Sequence, residues 1–461
     1  MARTSEHYII VGAGLGGSLL ACLLAQDGHK VDVYERRPDP RVKGFIGGRS
    51  INLALSTRGI TALEQVGLAD TVLHDAVRMP GRMMHAPTGE LTFQPYSAHA
   101  EDAINSVSRA TLNITLLEHA DTCDRVTLHF DQRCTGVNLA TTTATFHDER
   151  TDTSRSVTGD AIIGADGAFS AVRDALRVSD RFNYSQSYLE HGYKELEIPP
   201  AKDCGVDPAR HDGFAMAPNA LHIWPRGGAM MIALPNQDRT FTCTLFWPFE
   251  DLEALDTDDK VRAHFGRHYA DAVPLMPTLV EDYRTNPSSS LVTIRCEPWN
   301  RGRVLLIGDA AHAVVPFYGQ GMNASFEDAR ILAEMLRTGD AIEGVFEAFS
   351  RERKDDADAI ADLAIENFLV MRDRVADKAF LFRKRVEQAL DRVDPKRFTP
   401  LYNLVSFSNM PYAEARIVGG RVVELAERLA GELRKVGAES LDDAALTERV
   451  RSMVATLPAT T

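Results

Sequence analysis

Gly12, Gly14 and Gly17 stand in the run Gly12-Ala13-Gly14-Leu15-Gly16-Gly17, directly behind the apolar stretch Tyr8-Ile9-Ile10-Val11. Glycines at this spacing let a turn of backbone approach a pyrophosphate, and the helix that follows offers it free N–H groups and a positive dipole end. Glu35 follows a second apolar run, Val31 to Tyr34, and lies 18 residues beyond Gly17. A carboxylate at that place accepts hydrogen bonds from a ribose diol and favours an unphosphorylated ribose. Leu15 and Arg36 flank these positions. The chemistry is dinucleotide binding, and this segment alone does not choose between NAD and FAD. Two later acids, Asp166 and Asp309, sit just after the short apolar runs Asp160 to Gly164 and Val304 to Gly308.

Positioning such groups requires a parallel sheet. The order strand, glycine turn, helix (Ser18 to Asp27), strand at the start is a βαβ unit. The runs before Asp166 and Asp309 read as further buried strands whose C-terminal ends face one crevice, where open α/β sheets bind ligands. Leu221 to Phe246 differs. Apolar and β-branched residues alternate there between Pro-Arg-Gly-Gly and Pro-Asn-Gln-Asp turns, the pattern of antiparallel strands. From Glu327 onward the periodicity is helical, with breaks at Asp394 to Pro400 and at Met410-Pro411.

The totals fit an ordinary globular protein of more than one region: 461 residues, 44% hydrophobic and 25% charged. A net charge of −14 with no block of Lys and Arg argues against nucleic acid. Cys22, Cys123, Cys134, Cys204, Cys243 and Cys296 form no C-x-x-C pair, so neither a metal site nor a disulfide framework is expected. The start leads straight into a strand, leaving no room for a signal peptide. Leu19 to Ala25 is too short to span a bilayer, and the stretch from Ile417 is broken by Arg421, Glu424, Arg428 and Glu432. A cytoplasmic protein without a membrane partner is expected, as a monomer or homodimer.

Gly164-Ala165-Asp166-Gly167-Ala168-Phe169-Ser170-Ala171-Val172-Arg173 resembles the Asp-Gly motif of flavoprotein hydroxylases, and Gly308-Asp309-Ala310-Ala311-His312 resembles their Gly-Asp motif. With the glycine fingerprint, in this order, they are similar to the single-component FAD-dependent aromatic hydroxylases. The resemblance implies FAD, tightly but non-covalently bound. It implies that Asp166 lies in a segment serving the flavin pyrophosphate and the nicotinamide cofactor, that Asp309 binds the ribityl chain, and that Arg109 lies against the flavin. Pro316-Phe317-Tyr318-Gly319-Gln320 then reads as a positioning loop. Gly321, Met322 and Asn323 open a helix whose N-terminus would stabilise an anionic reduced flavin. His312 reads as a hydrogen-bonded packing residue, and no single catalytic residue is assigned.

Further segments resemble the kynurenine 3-monooxygenase family: Tyr34-Glu35-Arg36-Arg37-Pro38-Asp39-Pro40-Arg41, Gly48-Arg49-Ser50-Ile51-Asn52-Leu53-Ala54-Leu55, His191-Gly192-Tyr193-Lys194-Glu195-Leu196 and Asn219-Ala220-Leu221-His222-Ile223-Trp224-Pro225. That resemblance implies a p-hydroxybenzoate-hydroxylase-type fold, α/β with α+β character. Its Rossmann-like FAD domain would comprise 1–75, 100–180 and 290–340, with a mostly β substrate domain at 76–99 and 181–289. A helical region, 341–461, would cover the active site. It further implies that Arg82, Tyr96, Asn367 and Tyr402 hold a substrate carboxylate. Leu221, Met230, Ile232, Leu234 and Phe246, with Pro316 and Met371, would wall the ring. Tyr318 replaces a residue that varies between His and Phe in relatives, which leaves any proton-transfer role there open.

The implied reaction hydroxylates L-kynurenine to 3-hydroxy-L-kynurenine: NADPH reduces FAD, O₂ adds at flavin C4a, and the hydroperoxide passes its distal OH to the ring. With one fingerprint in the chain, NADPH is expected to bind transiently over the flavin domain. A hydroxylase of another aromatic carboxylate, or a non-catalytic FAD-binding redox sensor, stays open on the sequence; no W-x-W-x-I-P element of a flavin halogenase is present.

Overall fold

The computed structural model describes residues 5–43, 52–373 and 377–455. Gly48 to Ile51 of the second kynurenine-type segment lie outside them. The chain forms two compact units.

The first unit comprises the described parts of Met1–Ala76, Asn105–Glu190 and Ser289–Ile365. Its main sheet runs in the order Asn300–Arg301, Val304–Leu306, Ala161–Gly164, His7–Val11, Lys30–Tyr34, Val126–His129. All neighbours are parallel except the first pair. Ala161–Gly164 and Val304–Leu306 are apolar throughout, and His7–Val11 is apolar after its first residue, because this parallel sheet is buried: helix Leu15–Gln26 packs on it, and so does the antiparallel strand Thr143–Asp148, whose Phe146 stacks on Tyr34 at 3.9 Å. Helix Leu15–Gln26 is itself enclosed from Gly16 to Leu24, and its composition, apolar there except for Ser18, whose hydroxyl donates to Ala13 O (3.1 Å), follows from that position.

Strand order places the ends of His7–Val11, Ala161–Gly164 and Val304–Leu306 side by side, so Gly12, Asp166 and Asp309 emerge at one sheet edge. The ladder continues past the strands: Ala165 N donates to Val11 O (2.8 Å) and Ile307 N to Gly164 O (3.0 Å). A separate antiparallel sheet is built from Gln132–Asn138, Thr143–Asp148 and Thr153–Thr158.

The second unit comprises Val77–Ile104, His191–Ser288 and the described part of Glu366–Thr461. Its sheet runs from the C-terminal part of Asn183–Ile198 through Phe241–Pro248, Met230–Pro235, Leu221–Pro225 and Gly81–His85 to Leu91–Pro95. The meander Leu221 to Pro248 is antiparallel, as its alternation and turns require. Side chains in a strand alternate between faces. Met231, Ala233, Cys243 and Leu245 therefore share a face, which packs with Trp224 against Val261, Phe265 and Tyr283 in a closed core. Met230, Ile232 and Leu234 take the opposite face.

The C-terminal helices Lys378–Val393, Tyr412–Lys435 and Asp443–Val454 form their own core around Val386, Leu390, Leu429 and Val450. Asp377 and Asp442 cap two of them by accepting from Phe380 N and Ala445 N (2.8 Å each). Gln388 Nε2 donates to Pro95 O (3.1 Å), tying this bundle to the Gly81–Pro95 hairpin.

Candidate active site

In the first unit the fingerprint has the geometry its glycines serve. Gly12 has φ +105°, and a Cβ there would meet Ala165 O at 2.5 Å; a Cβ on Gly17 would collide with Gly12 O. Gly14 is different: a Cβ there meets nothing within 4 Å, so the protein's own packing does not require glycine. Close approach of a ligand to the backbone does. Helix Leu15–Gln26 starts beside it with no side-chain cap and no acid in its first turn. Glu35 Oε2 accepts from Ala13 N (3.0 Å) and Oε1 from Arg37 N (2.9 Å), so the carboxylate braces the loop while keeping lone pairs for a diol.

A pocket here is lined by Gly14, Leu15, Glu35, Arg37, Arg109 and Asn113, among others. Arg109, the first residue of helix Arg109–Asp121, is exposed. Arg36 is exposed and is not among the residues that line this pocket, whereas Arg37 is.

Asp166 Oδ2 accepts from Ala171 N (2.7 Å) and Val172 N (3.3 Å), while its Oδ1 is buried without a hydrogen-bond partner among the described residues. Burial raises its pKa against those hydrogen bonds. Arg173 joins the two acid motifs by donating to Ala168 O (2.7 Å) and Ala310 O (2.8 Å). Asp309 keeps open surface, yet crowding by protein raises its pKa, with Arg109 and His312 pulling it back and Asp328 adding to the rise. An open Gly14, an uncapped helix start and an unsatisfied Asp166 oxygen fit the residues to FAD.

Beneath the Gly308-Asp309 turn lies a buried ionic network that the sequence reading did not find. Gly308 adopts φ +55° and its N–H donates to Asp328 Oδ2 (2.9 Å). The same oxygen meets His312 Nε2 (2.6 Å), and Arg353 Nε donates to Asp328 Oδ1 (2.9 Å). Arg353 also pairs with Glu327 and Asp356, and Arg58 pairs with Glu327 (2.6 Å). His312 is thus held as a hydrogen-bonded packing residue.

Burial by itself would raise the Asp328 pKa; the charges of His312 and Arg353 and the Gly308 N–H overcome it and bring it from 3.8 down to about 2. A carboxylate with a depressed folded-state pKa stabilises the protein above its ordinary pKa and ceases to do so as pH falls through the depressed value. Stability and flavin retention should therefore decline between pH 3.8 and about 2 as Asp328 protonates, read as the rise of free-FAD fluorescence on acidification. Flavin held unchanged below that window would contradict the role given to Asp328.

The loop Pro316–Tyr318 ends at Gly319 in the left-handed region, and helix Gly321–Leu336 follows with neither side-chain cap nor acid in its first turn. Phe317, Tyr318 and Gln320 are buried, Pro316 is exposed. Asn323 spends its whole side chain on bracing: Nδ2 donates to Ala54 O and Gly319 O (2.8 Å each) and Oδ1 accepts from Ser56 N (3.0 Å). What it and its neighbours Gly321 and Met322 can offer a ligand is backbone N–H at a helix N-terminus.

In the second unit, Arg82 of strand Gly81–His85 has its guanidinium 5.1 Å from the Tyr96 ring and 5.0 Å from the Tyr402 ring. The two rings stack at 5.0 Å and 12°. Cations favour such aromatic faces. Burial opposes the Arg82 charge, but the phenol oxygens of Tyr402 and Tyr96 outweigh it and keep the guanidinium protonated. Arg82 Nε and Tyr96 Oη are buried without hydrogen-bond partners among the described residues, and no carboxylate there forms an ion pair with Arg82. A cation with polar atoms left open and no counter-ion fits a carboxylate ligand.

Register puts the apolar candidates beside it. Leu221 pairs with Arg82, Ile223 with Ile232, and Met230 with Phe246, so Arg82, Leu221, Met230, Ile232, Leu234 and Phe246 share one sheet face. Asn367 Nδ2 contacts Met371 Sδ (3.3 Å) on helix Ile342–Asp373. Among the described residues no group of His, Cys, Asp and Glu could hold a metal ion, and no helix is long and apolar enough to cross a membrane.

The family model described as an FAD binding domain matches residues 7–364. The chain is 46% identical over 451 residues to the kynurenine 3-monooxygenase of Myxococcus xanthus, covering 97% of this chain and 95% of the relative. It is 45% identical over 432 residues to that of Dictyostelium discoideum, with 90% and 91% covered. Among solved structures, 2-methyl-3-hydroxypyridine-5-carboxylic acid oxygenase superposes with a TM-score of 0.65 at 20% identity over 82% of this chain and 95% of that one. Klebsiella pneumoniae HpxO, solved with FAD and uric acid, gives 0.62 at 22% over 92% and 96%. These likenesses establish the flavin-hydroxylase fold of the p-hydroxybenzoate hydroxylase type. On the extent and identity of its relatives, the chain belongs to the kynurenine 3-monooxygenase family of FAD-dependent hydroxylases.

Proposed function

We propose that this enzyme hydroxylates L-kynurenine to 3-hydroxy-L-kynurenine with NADPH and O₂, and that the residues assembled above divide the work. The observation that carries the reading is Arg82, a cation with no ion-pair partner among the described residues, set beside a stacked pair of tyrosines and on the same sheet face as an apolar wall. Kynurenine presents that chemistry: a carboxylate at one end and an aniline ring at the other.

FAD, when bound, supplies the redox chemistry, taking electrons from NADPH and activating O₂. Gly12, Gly14 and Gly17 admit its pyrophosphate, Glu35 its ribose and Asp309 its ribityl chain. Asp166 and Arg109 complete the cradle. The first N–H groups of helix Gly321–Leu336 offer positive potential for negative charge on the reduced ring. Arg82, Tyr96, Asn367 and Tyr402 fix the substrate's amino-acid head. Leu221, Met230, Ile232, Leu234 and Phe246, with Met371, exclude water around its ring.

The aniline nitrogen already pushes electrons toward its ortho carbon, so no strong base is needed. Positioning and dryness are the protein's share. Met1–Ala76, Asn105–Glu190 and Ser289–Ile365 are proposed as the flavin domain, and the rest as the substrate domain with its helical cover. A cytoplasmic monomer or homodimer is proposed; six free cysteines support a reducing compartment.

The test follows NADPH oxidation at 340 nm with and without L-kynurenine and weighs the product by mass spectrometry. Stimulated oxidation with a product one oxygen heavier is expected. Unstimulated oxidation and no oxygenated product would keep the flavin fold and discard the substrate.

A further inference from the structure

Resting on the kynurenine reading, we infer that Asn403 and Ser406 receive the substrate's α-ammonium group and make the site selective for an amino acid over a plain aromatic acid.

Kynurenine's head is a zwitterion. Arg82 and Tyr96 offer donors to the carboxylate, but an ammonium carries three donors and no acceptor and must find oxygens within reach. The short helix Leu401–Ser406, which supplies Tyr402, has two to give. Asn403 is 3% exposed; its Nδ2 donates to Ser97 Oγ (2.9 Å), and its Oδ1 is left without a partner. Ser406 is 0% exposed and its Oγ also lacks a partner.

A helical serine usually has a local way out, bonding the carbonyl four residues back. Ser408 takes it, donating to Leu404 O (2.5 Å), and Ser406 does not. Buried oxygens left unsatisfied are costly, so two in one short helix call for a ligand that completes them.

Chain position and hydrogen bonding tie both residues to the Arg82 cluster. Asn403 follows Tyr402 directly and donates to Ser97, the residue after Tyr96, so it is tied to both of the stacked rings that lie beside the guanidinium. Ser406 lies four residues, about one helical turn, beyond Tyr402, so both side chains lie on the same side of the helix. The largest influences on Arg82 and Tyr96 are burial, Tyr402 and each other, none of them an acid. Neutral acceptors suit this place because a carboxylate would pair with Arg82 in the empty protein and cancel the charge meant for the substrate.

The test compares two ligands on the FAD-loaded full chain by titrating the flavin difference spectrum: L-kynurenine and its des-amino analogue, 4-(2-aminophenyl)-4-oxobutanoate. The wild-type protein should bind kynurenine at least about tenfold more tightly, and Ser406→Ala and Asn403→Leu should each weaken kynurenine by about tenfold while leaving the analogue unchanged. Equal weakening of both ligands would show a structural role and overturn the inference, as would a wild type that does not prefer kynurenine. If neither ligand perturbs the wild-type flavin, the kynurenine reading itself fails, and the inference with it.

Discussion

Arg82→Ala should leave the flavin in place and weaken L-kynurenine binding by about a hundredfold or more, roughly 3–5 kcal/mol for removing one partner of a buried charge pair. The size follows from what surrounds the residue. Its Nε is buried and unpaired, and no carboxylate among the described residues neutralises it, so on the kynurenine reading proposed above the substrate carboxylate would be its counter-charge. Arg82→Lys should recover part of the loss, because an ammonium keeps the charge but not the flat fork that lies against Tyr96 and Tyr402. Titration of the flavin spectrum with kynurenine measures both, and unchanged affinity in the alanine variant would remove Arg82 from the substrate site. The turnover number should fall less than kcat/KM, since the contact holds ground state and transition state alike.

Arg353→Met should damage the protein more broadly. Arg353 pairs with Glu327, Asp328 and Asp356 in a buried setting, and without it Arg58 is the remaining arginine of the network. Stranding buried carboxylates costs roughly 3–5 kcal/mol, enough to consume much of a typical domain's stability. Because Asp328 also holds the Gly308 N–H, flavin affinity should drop together with stability. Equilibrium dialysis of FAD and urea unfolding followed by intrinsic fluorescence would check this. A variant with wild-type flavin affinity and midpoint would show the network to be incidental. Asp328→Asn should weaken FAD with a smaller loss of stability, since the amide keeps the shape and one acceptor.

The glycine fingerprint, Glu35 and the two acid motifs were legible because each depends on a local backbone turn written in adjacent residues. The meander from Leu221 to Pro248 was legible for the same reason, through alternation and its turns. Helix breaks at Asp394 to Pro400 and near Pro411 were read from proline and turn residues, whereas the break at 337–341 carries a weaker local signal, Thr338-Gly339-Asp340. The ionic network could not be read. Arg58 and Glu327 meet across 269 positions, and on paper Glu327, Asp328, Arg353 and Asp356 look like the solvated faces of amphipathic helices. The stacking of Tyr96 on Tyr402 is equally non-local, and family resemblance, not pattern, brought those residues together. Nor does the sequence say which of Arg36 and Arg37 turns to the nucleotide pocket, a choice made by the direction of the chain after Tyr34.

The two-residue alternation of Met230–Pro235 has a practical meaning for altering what the enzyme accepts. Met231 and Ala233 belong to a closed core, while Met230, Ile232 and Leu234 project from the other side of the same ribbon. Resizing one set need not disturb the other. On the proposed reading, a library confined to the even-numbered positions, with Phe246 opposite Met230, would vary the shape offered to an aromatic ring while leaving Met231 and Ala233 in place. A library spread over consecutive positions would also resize the side chains of that closed core.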